Sequence, residues 1–221
     1  MTENGMNATD RLIERLQREA APVRRLPPPA ESAGLFLLGA AALSVIAIML
    51  FADLPVFERR IADPKLALEV AATLATGILA VFAAFELSLP DRSWRWALLP
   101  LPTLLLWIAS SGYSCWQHLI VHGPGGWAIG ESGQCFRFIL SASLPLGVAL
   151  LLMLRRAHAL APVRVAALGA LGVAALAAFL LQFFHPFDVT FMDLGIHAVA
   201  VGLVVLIAAG MEALAVRRAA P

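Results

Sequence analysis

The stretch LALEVAATLATGILAVFAAFELSL, Leu66–Leu89, decides the class of fold. A helix needs about 20 predominantly apolar residues to cross the ~30 Å hydrocarbon core of a bilayer, and this stretch is long enough. Its two ionisable residues, Glu69 and Glu86, lie within about one helical turn of its ends, where a side chain can extend to the membrane interface. We therefore expect Leu66–Leu89 to cross a membrane as a helix.

Five further apolar stretches flank this one and share its length and character. They are Gly34–Ala52, Trp96–Cys115, Phe136–Leu154, Val163–Phe184 and Leu194–Ala215. Hydrophobic residues make up 60% of the chain and charged residues 14%, against roughly 45–50% and about 25% in soluble domains. The sequence predicts an all-α polytopic membrane protein, with a six-helix transmembrane domain over residues 33–216.

The arginines predict the orientation of these spans. If the N-terminal tail is cytoplasmic, 12 of the 16 Lys and Arg residues fall on the cytoplasmic side. Cytoplasmic loops carry such an excess of basic residues, so we expect both termini, including a short tail over 217–221, in the cytoplasm. The segment between Cys115 and Cys135 then faces the periplasm or the extracellular space. Residues 1–32 are polar and do not resemble a signal peptide, so the first span is expected to insert itself.

The N-terminal tail, residues 1–32, contains a predicted amphipathic helix over 7–21. Pro22 prevents its continuation, and the Pro-rich connector VRRLPPPAES follows. Leu12, Ile13 and Leu16 fall on one side of this helix, and Arg15 can pair with Glu19 four residues on. Three interpretations remain open for its apolar side: contact with the lipid bilayer, contact with the protein's own cytoplasmic loops, or docking of a cytosolic protein.

The only two cysteines bound the segment CWQHLIVHGPGGWAIGESGQC, where Cys115 closes the third predicted span and Cys135 opens the fourth. In an oxidising compartment this pair is either a structural disulfide or a redox-active pair that alters the packing of the third and fourth helices. A third interpretation is a site for a soft metal ion. Its candidate ligands are Cys115, Cys135, His118, His122 and His185. The spacing is not a zinc signature, since there is no CxxC, so no resident cofactor is expected, only transient binding of a soft metal ion.

A second polar cluster precedes and enters the sixth span. Asp193 and His197 are four residues apart and therefore lie on the same helical face. An ionisable group inside a span indicates a functional site, or alternatively a neutral histidine hydrogen-bonded within the bundle.

Several classes of function are disfavoured by what the sequence lacks. A membrane disulfide-forming enzyme needs a second cysteine pair to relay electrons, and two cysteines cannot supply it, so we do not expect an enzyme. The chain has no basic patch outside its termini, which argues against a direct nucleic-acid partner. The alternative function is a six-span transporter or small-ligand-binding membrane protein with a structural disulfide. Whether copies of the chain form a homo-oligomer stays open.

Several stretches together resemble a known family. They are the tail helix with VRRLPPPA, then IADPKLALEVAATLATGILAVFAAFELSLPDRSWRWALLPLP, the segment bounded by the cysteines, and HPFDVTF before the last span. In combination and order they resemble the NrsF-type negative regulators of the extracytoplasmic sigma factor F in proteobacteria, a six-span inner-membrane family.

The resemblance implies an anti-sigma factor. Its cytoplasmic N-terminal segment would hold an extracytoplasmic-function sigma factor inactive at the membrane, and oxidant or heavy metal at the periplasmic thiols would release it. The sensor thiols would be Cys115 and Cys135. The expected sigma-binding residues are Leu12, Ile13, Arg15, Leu16 and Glu19.

Overall fold

The computed structural model describes residues 7–19, 26–123, 129–157, 159–184 and 191–219. These parts of the chain contain helices and no strands. The α-helices are α1 (Ala8–Glu19), α2 (Pro29–Phe51), α3 (Leu54–Ile61), α4 (Pro64–Leu87), α5 (Leu101–His122), α6 (Ile129–Arg155), α7 (Pro162–Leu181) and α8 (Phe191–Ala219), with a 3-10 helix at Trp94–Leu98 before α5. Six segments, within α2, α4, α5 with its preceding 3-10 helix, α6, α7 and α8, are long and apolar enough to cross a membrane. The predicted all-α fold with six spans is confirmed.

The first span begins earlier than the apolar pattern predicts. Helix α2 begins at Pro29, inside the segment predicted to be a Pro-rich connector. Proline is compatible with the first turn of a helix because the amide hydrogen it lacks would have no intrahelical partner there. The backbone N–H of Ser32 donates to the Pro28 carbonyl at 3.1 Å, which closes that first turn.

Helices α4 and α7 cross at the centre of the bundle in direct backbone contact. A Cβ atom added to Gly172 would lie 3.0 Å from the backbone nitrogen of Val81 and 3.1 Å from the Gly77 carbonyl oxygen. Two helices can approach this closely only where small residues face each other. Helices α6 and α8 pack on α7, while α2 and α5 pack on α4, so this crossing holds the core of the domain.

The short helix α3 lies between the first two spans and was not predicted. Asp53 caps it, because its carboxylate accepts the Val56 amide at 3.2 Å. On the same helix, the Phe57 ring stacks on Phe183, with ring centroids 4.1 Å apart. This contact ties the connection between α2 and α4 to the end of α7.

The prediction that Cys115 ends the third span is wrong, whereas Cys135 lies close to Gly133, where the candidate fourth span begins. Helix α5 continues past Cys115 to His122, and α6 begins at Ile129, before Cys135. The residues after Cys115 are compatible with a helix, and the first breaker is Gly123, whose φ of 68° lies in the left-handed region that favours glycine. Both cysteines are therefore inside helices, and His118 and His122 belong to the last turns of α5 rather than to a loop.

Candidate functional site

Cys115 lies in the interior of the bundle, on the part of α5 that faces α4 and α8. The residue is 1% exposed. The carboxyl groups of Glu69 on α4 and Asp193 on α8 are both close enough to act on the Cys115 thiol electrostatically. Cys115 is thus surrounded by residues from three helices, and two of its neighbours are acidic.

Glu69 does not reach the membrane interface as its place in the sequence predicts. It is 3% exposed, with Ser111 of α5 beside its carboxyl group and Arg60 of α3 within electrostatic range. The Ser111 hydroxyl is buried and has no well-aligned hydrogen-bond partner among the described residues. Buried polar groups without such partners are rare and costly, so this cluster is a polar site inside an otherwise apolar bundle.

Cys135 occupies a different environment. It is 2% exposed and packs in an apolar cluster with Ile139 of its own helix, Ala177 and Leu181 of α7, and Ala200 of α8. Both cysteines carry thiols that are not joined in a disulfide. One thiol therefore has acidic neighbours and the other has aliphatic neighbours.

Helix α8 is the element that the two cysteine environments share. It contributes Asp193 near Cys115 and Ala200 against Cys135. In the described part of the chain α5 packs on α4 and α8, and α6 packs on α7 and α8, while α5 and α6 have little contact with each other. The third and fourth spans therefore each pack on α8, and an effect of the cysteines on the packing of these two spans stays a prediction.

The predicted metal ligands are only partly described. His185 and the side chains of His118 and His122 lie outside the described residues. Among the residues that are described, no group of three or more His, Cys, Asp or Glu side chains is arranged to hold a metal ion. Of the second predicted cluster, Asp193 is buried and His197 is partly buried on α8.

Helix α1 is capped at its first turn and carries two ion pairs, of which Arg15–Glu19 was predicted. The Asn7 side chain accepts the Asp10 amide at 2.9 Å, Arg15 pairs with Glu19 at 2.8 Å, and Arg18 pairs with Glu14. Its apolar side chains are solvent-accessible, with Leu12 56%, Ile13 49% and Leu16 58% exposed. In the described structure this apolar side, with Arg15 and Glu19 at its edge, forms no packed interface with the bundle.

The opposite end of the bundle from the cysteines holds two ion pairs that the sequence did not predict. Glu212 of α8 is buried. Its Oε1 lies 2.6 Å from Nη2 of Arg155 on α6 and accepts a hydrogen bond from Nε of the same arginine at 2.7 Å. Glu86 at the end of α4 pairs with Arg92 at 3.0 Å. A carboxylate inside a predicted span with an arginine near the end of another is the signal that could have indicated them.

Comparison with known proteins yields one match. No curated protein and no solved structure is similar to this chain. Residues 16–218 match a protein family described as NrsF, negative regulator of sigma F, which covers all six spans and the end of α1. The chain therefore belongs to the NrsF family of negative regulators of sigma F, and is an anti-sigma factor whose partner is a sigma factor.

Proposed function

We propose that this protein holds an extracytoplasmic-function sigma factor at the bacterial inner membrane through α1, and releases it when Cys115 and Cys135 react with an oxidant or bind a soft metal ion. The observation that carries the proposal is the exposed apolar side of α1, on a chain whose family regulates a sigma factor. The proposal has three parts: a docking helix, a thiol input, and a connection between them.

The apolar side chains that α1 exposes make it a suitable docking helix. A helix of this length is marginally stable alone in water and gains stability when its apolar side is buried on a partner. Leu12, Ile13 and Leu16 supply the spacing typical of a helix that binds in a groove, and the Arg15–Glu19 pair borders them. Lipid is a weaker candidate partner for the apolar side of α1, because α1 has no Trp or Phe that could anchor the helix in a membrane interface.

The proposed orientation rests on charge. With α1 in the cytoplasm, 12 of the 16 basic residues are cytoplasmic, and the connections that carry Arg92, Arg155 and Arg164 face the same side as α1. The ends of α5 and α6 that carry the cysteines then face the periplasm. Input and output are on opposite sides of the membrane, as a receptor for an external stress requires.

The burial of both cysteines makes their thiols suitable as the input. A peroxide-class oxidant converts a thiol into a sulfenic acid and releases water, and a second thiol can then displace a further water to form a disulfide. A soft cation would instead replace the thiol protons and bind the thiolates, with Glu69 and Asp193 providing negative charge near Cys115. Either change adds volume, charge or a new bond where each cysteine is at most 2% exposed, and a close-packed interior cannot absorb it without moving its neighbours.

The connection between input and output is proposed to be α8. This helix contacts the surroundings of both thiols, and its other end is bound to α6 through the Glu212–Arg155 pair. Displacement of α8 at the thiols would therefore change the position of Arg155, and with it the connection between α6 and α7 on the side of the membrane where α1 is proposed to lie. A preference of a few kcal/mol for one packing over another suffices for such a switch.

The docking helix can be tested by replacing Leu12, Ile13 and Leu16 with Ser in the full-length protein. We expect the sigma factor to stop co-purifying with the detergent-extracted chain and sigma-dependent transcription to become constitutive, because the apolar contact is lost. The matched control is the double variant Glu14→Gln, Arg18→Gln, which preserves net charge and lies on the other side of the helix. Full repression by the triple Ser variant, present at normal levels in the membrane, would show that α1 is not the docking element.

A further inference from the structure

A groove of ≈ 500 Å³ opens between the connection from α4 to α5 and the connection from α6 to α7. The residues that decide its chemistry are Leu87, Arg92, Trp94, Ala97, Leu160 and Arg164. The proposed regulation moves one wall of this groove, the connection between α6 and α7, but needs no ligand in it. The groove is at the end of the bundle away from the cysteines.

The depth of the groove is given by the spans that line it. Leu87 is the last residue of the span Pro64–Leu87, Ala97 lies in the first turns of Trp94–Val121, and Arg164 lies at the start of Pro162–Leu181. The groove therefore opens at the ends of three candidate spans, and the ends of membrane spans lie where lipid headgroups meet acyl chains. Trp94, with 63% of its surface exposed at the mouth of the groove, is the residue type enriched at that level.

The walls are apolar and the rim is cationic. Leu87, Ala97 and the 80% exposed Leu160 form apolar surface. Arg92 forms an ion pair with the buried Glu86 carboxylate, with Nε 3.0 Å from Oε2, and its terminal amino groups are further donors. Arg164 forms no ion pair within the described residues.

We propose that this groove binds an anionic phospholipid, with the phosphate between Arg92 and Arg164 and an acyl chain along Leu87, Ala97 and Leu160. Arginine donates paired hydrogen bonds to phosphate oxygens, and basic pockets between spans on the cytoplasmic side are typical sites for anionic headgroups. A soluble partner is disfavoured because the groove opens at the depth of the lipid rather than above it. The proposal rests on the groove alone and holds whether or not α1 binds the sigma factor.

The test is native mass spectrometry of the full-length protein released from detergent and titrated with phosphatidylglycerol or phosphatidylcholine. We expect phosphatidylglycerol to be retained preferentially, and retention to weaken about tenfold in Arg164→Gln, since a charge-assisted phosphate contact is lost. The control Arg137→Gln removes an exposed charge from α6 outside the groove and should retain phosphatidylglycerol as the wild type does.

A second variant tests the shape of the groove with all its arginines in place. Ala97→Leu adds bulk to the apolar wall and should also lower phosphatidylglycerol retention, because the acyl chain is displaced. Equal retention of both lipids by the wild type, or equal losses in Arg164→Gln and Arg137→Gln, would overturn the proposal. The proposal would also be overturned if Arg164→Gln lowered sigma-factor co-purification while lipid retention was unchanged, because the groove would then bind the sigma factor.

Discussion

At the scale of single residues, the two thiols differ in what surrounds them. Cys115 has Ser111, Glu69 and Asp193 near it, whereas Cys135 packs against aliphatic side chains. Acidic groups are therefore placed to act electrostatically on a thiolate or a bound cation at Cys115.

Replacing each cysteine tests whether its thiol acts as the sensor. Cys115→Ser and Cys135→Ala should each keep sigma-dependent transcription repressed and lose its induction by peroxide or cadmium, because the reacting sulfur is gone. A transcription reporter measures both properties. A wild-type response in both variants would remove the thiols from the mechanism.

The residue scale also shows what the sequence could not predict about the site. The two cysteines could be chosen as site residues from the sequence because the chain has only two. Their burial could not be predicted, because helix α5 extends beyond Cys115 with no change in composition until Gly123. Glu69 was expected at the interface because it is near the end of an apolar run. Its burial depends on α5 covering that side of α4, and no local pattern encodes that packing.

At the scale of helices, six apolar runs predicted six spans because length and hydrophobicity are local properties. The amphipathic helix α3 was missed because a short segment with charges reads as a connection. The order of the helices in the bundle, with α7 between α4, α6 and α8, depends on which small residues face each other. Ala and Gly occur in every span, so the crossing at Gly77 and Gly172 could not be identified among them.

That crossing predicts a position-specific effect of added volume. Gly172→Ala places a methyl group 3.0 Å from the Val81 backbone nitrogen and should destabilise the protein by about 1–3 kcal/mol, because backbone cannot move aside as a flexible side chain does. Gly202→Ala is the matched control in another span, where an added Cβ meets nothing within 4 Å. Thermal unfolding in detergent compares the two, and equal effects would show that α4 and α7 are not in backbone contact there.

At the scale of the whole molecule, the arrangement is a core of α4 and α7 with other spans packed around it. Helix α8 is the peripheral span with contacts near both cysteines and at the opposite end, through Glu212. The family match covers this domain and only the last part of α1. For the first part of α1, with Leu12 and Ile13, the proposed docking role therefore rests on the amphipathic pattern and the exposure of these side chains.

The orientation can be measured with single cysteines at exposed positions in a chain without Cys115 and Cys135. Glu58→Cys in α3 should react with a membrane-impermeant maleimide in intact cells with a permeabilised outer membrane, because α3 is expected in the periplasm. Arg18→Cys in α1 should react only after lysis. The reverse pattern would place α1 outside and contradict cytoplasmic docking.

The burial of Cys115 also determines how fast its thiol can react. A side chain that is 1% exposed reacts only in the rare molecules whose bundle has opened locally, so its modification is slowed by the fraction that is open. At high reagent concentration, reaction outpaces reclosing and the rate levels off at the rate of opening. Stopped-flow measurements with a small thiol reagent should show this plateau for Cys115, and a linear rise for Glu58→Cys in the cysteine-free chain. A linear rise of equal slope at Cys115 would contradict gating by the fold. With such gating and the proposed thiol sensing, the lag before transcription at high reagent concentration is set by the protein itself, so exposures shorter than this lag do not induce transcription.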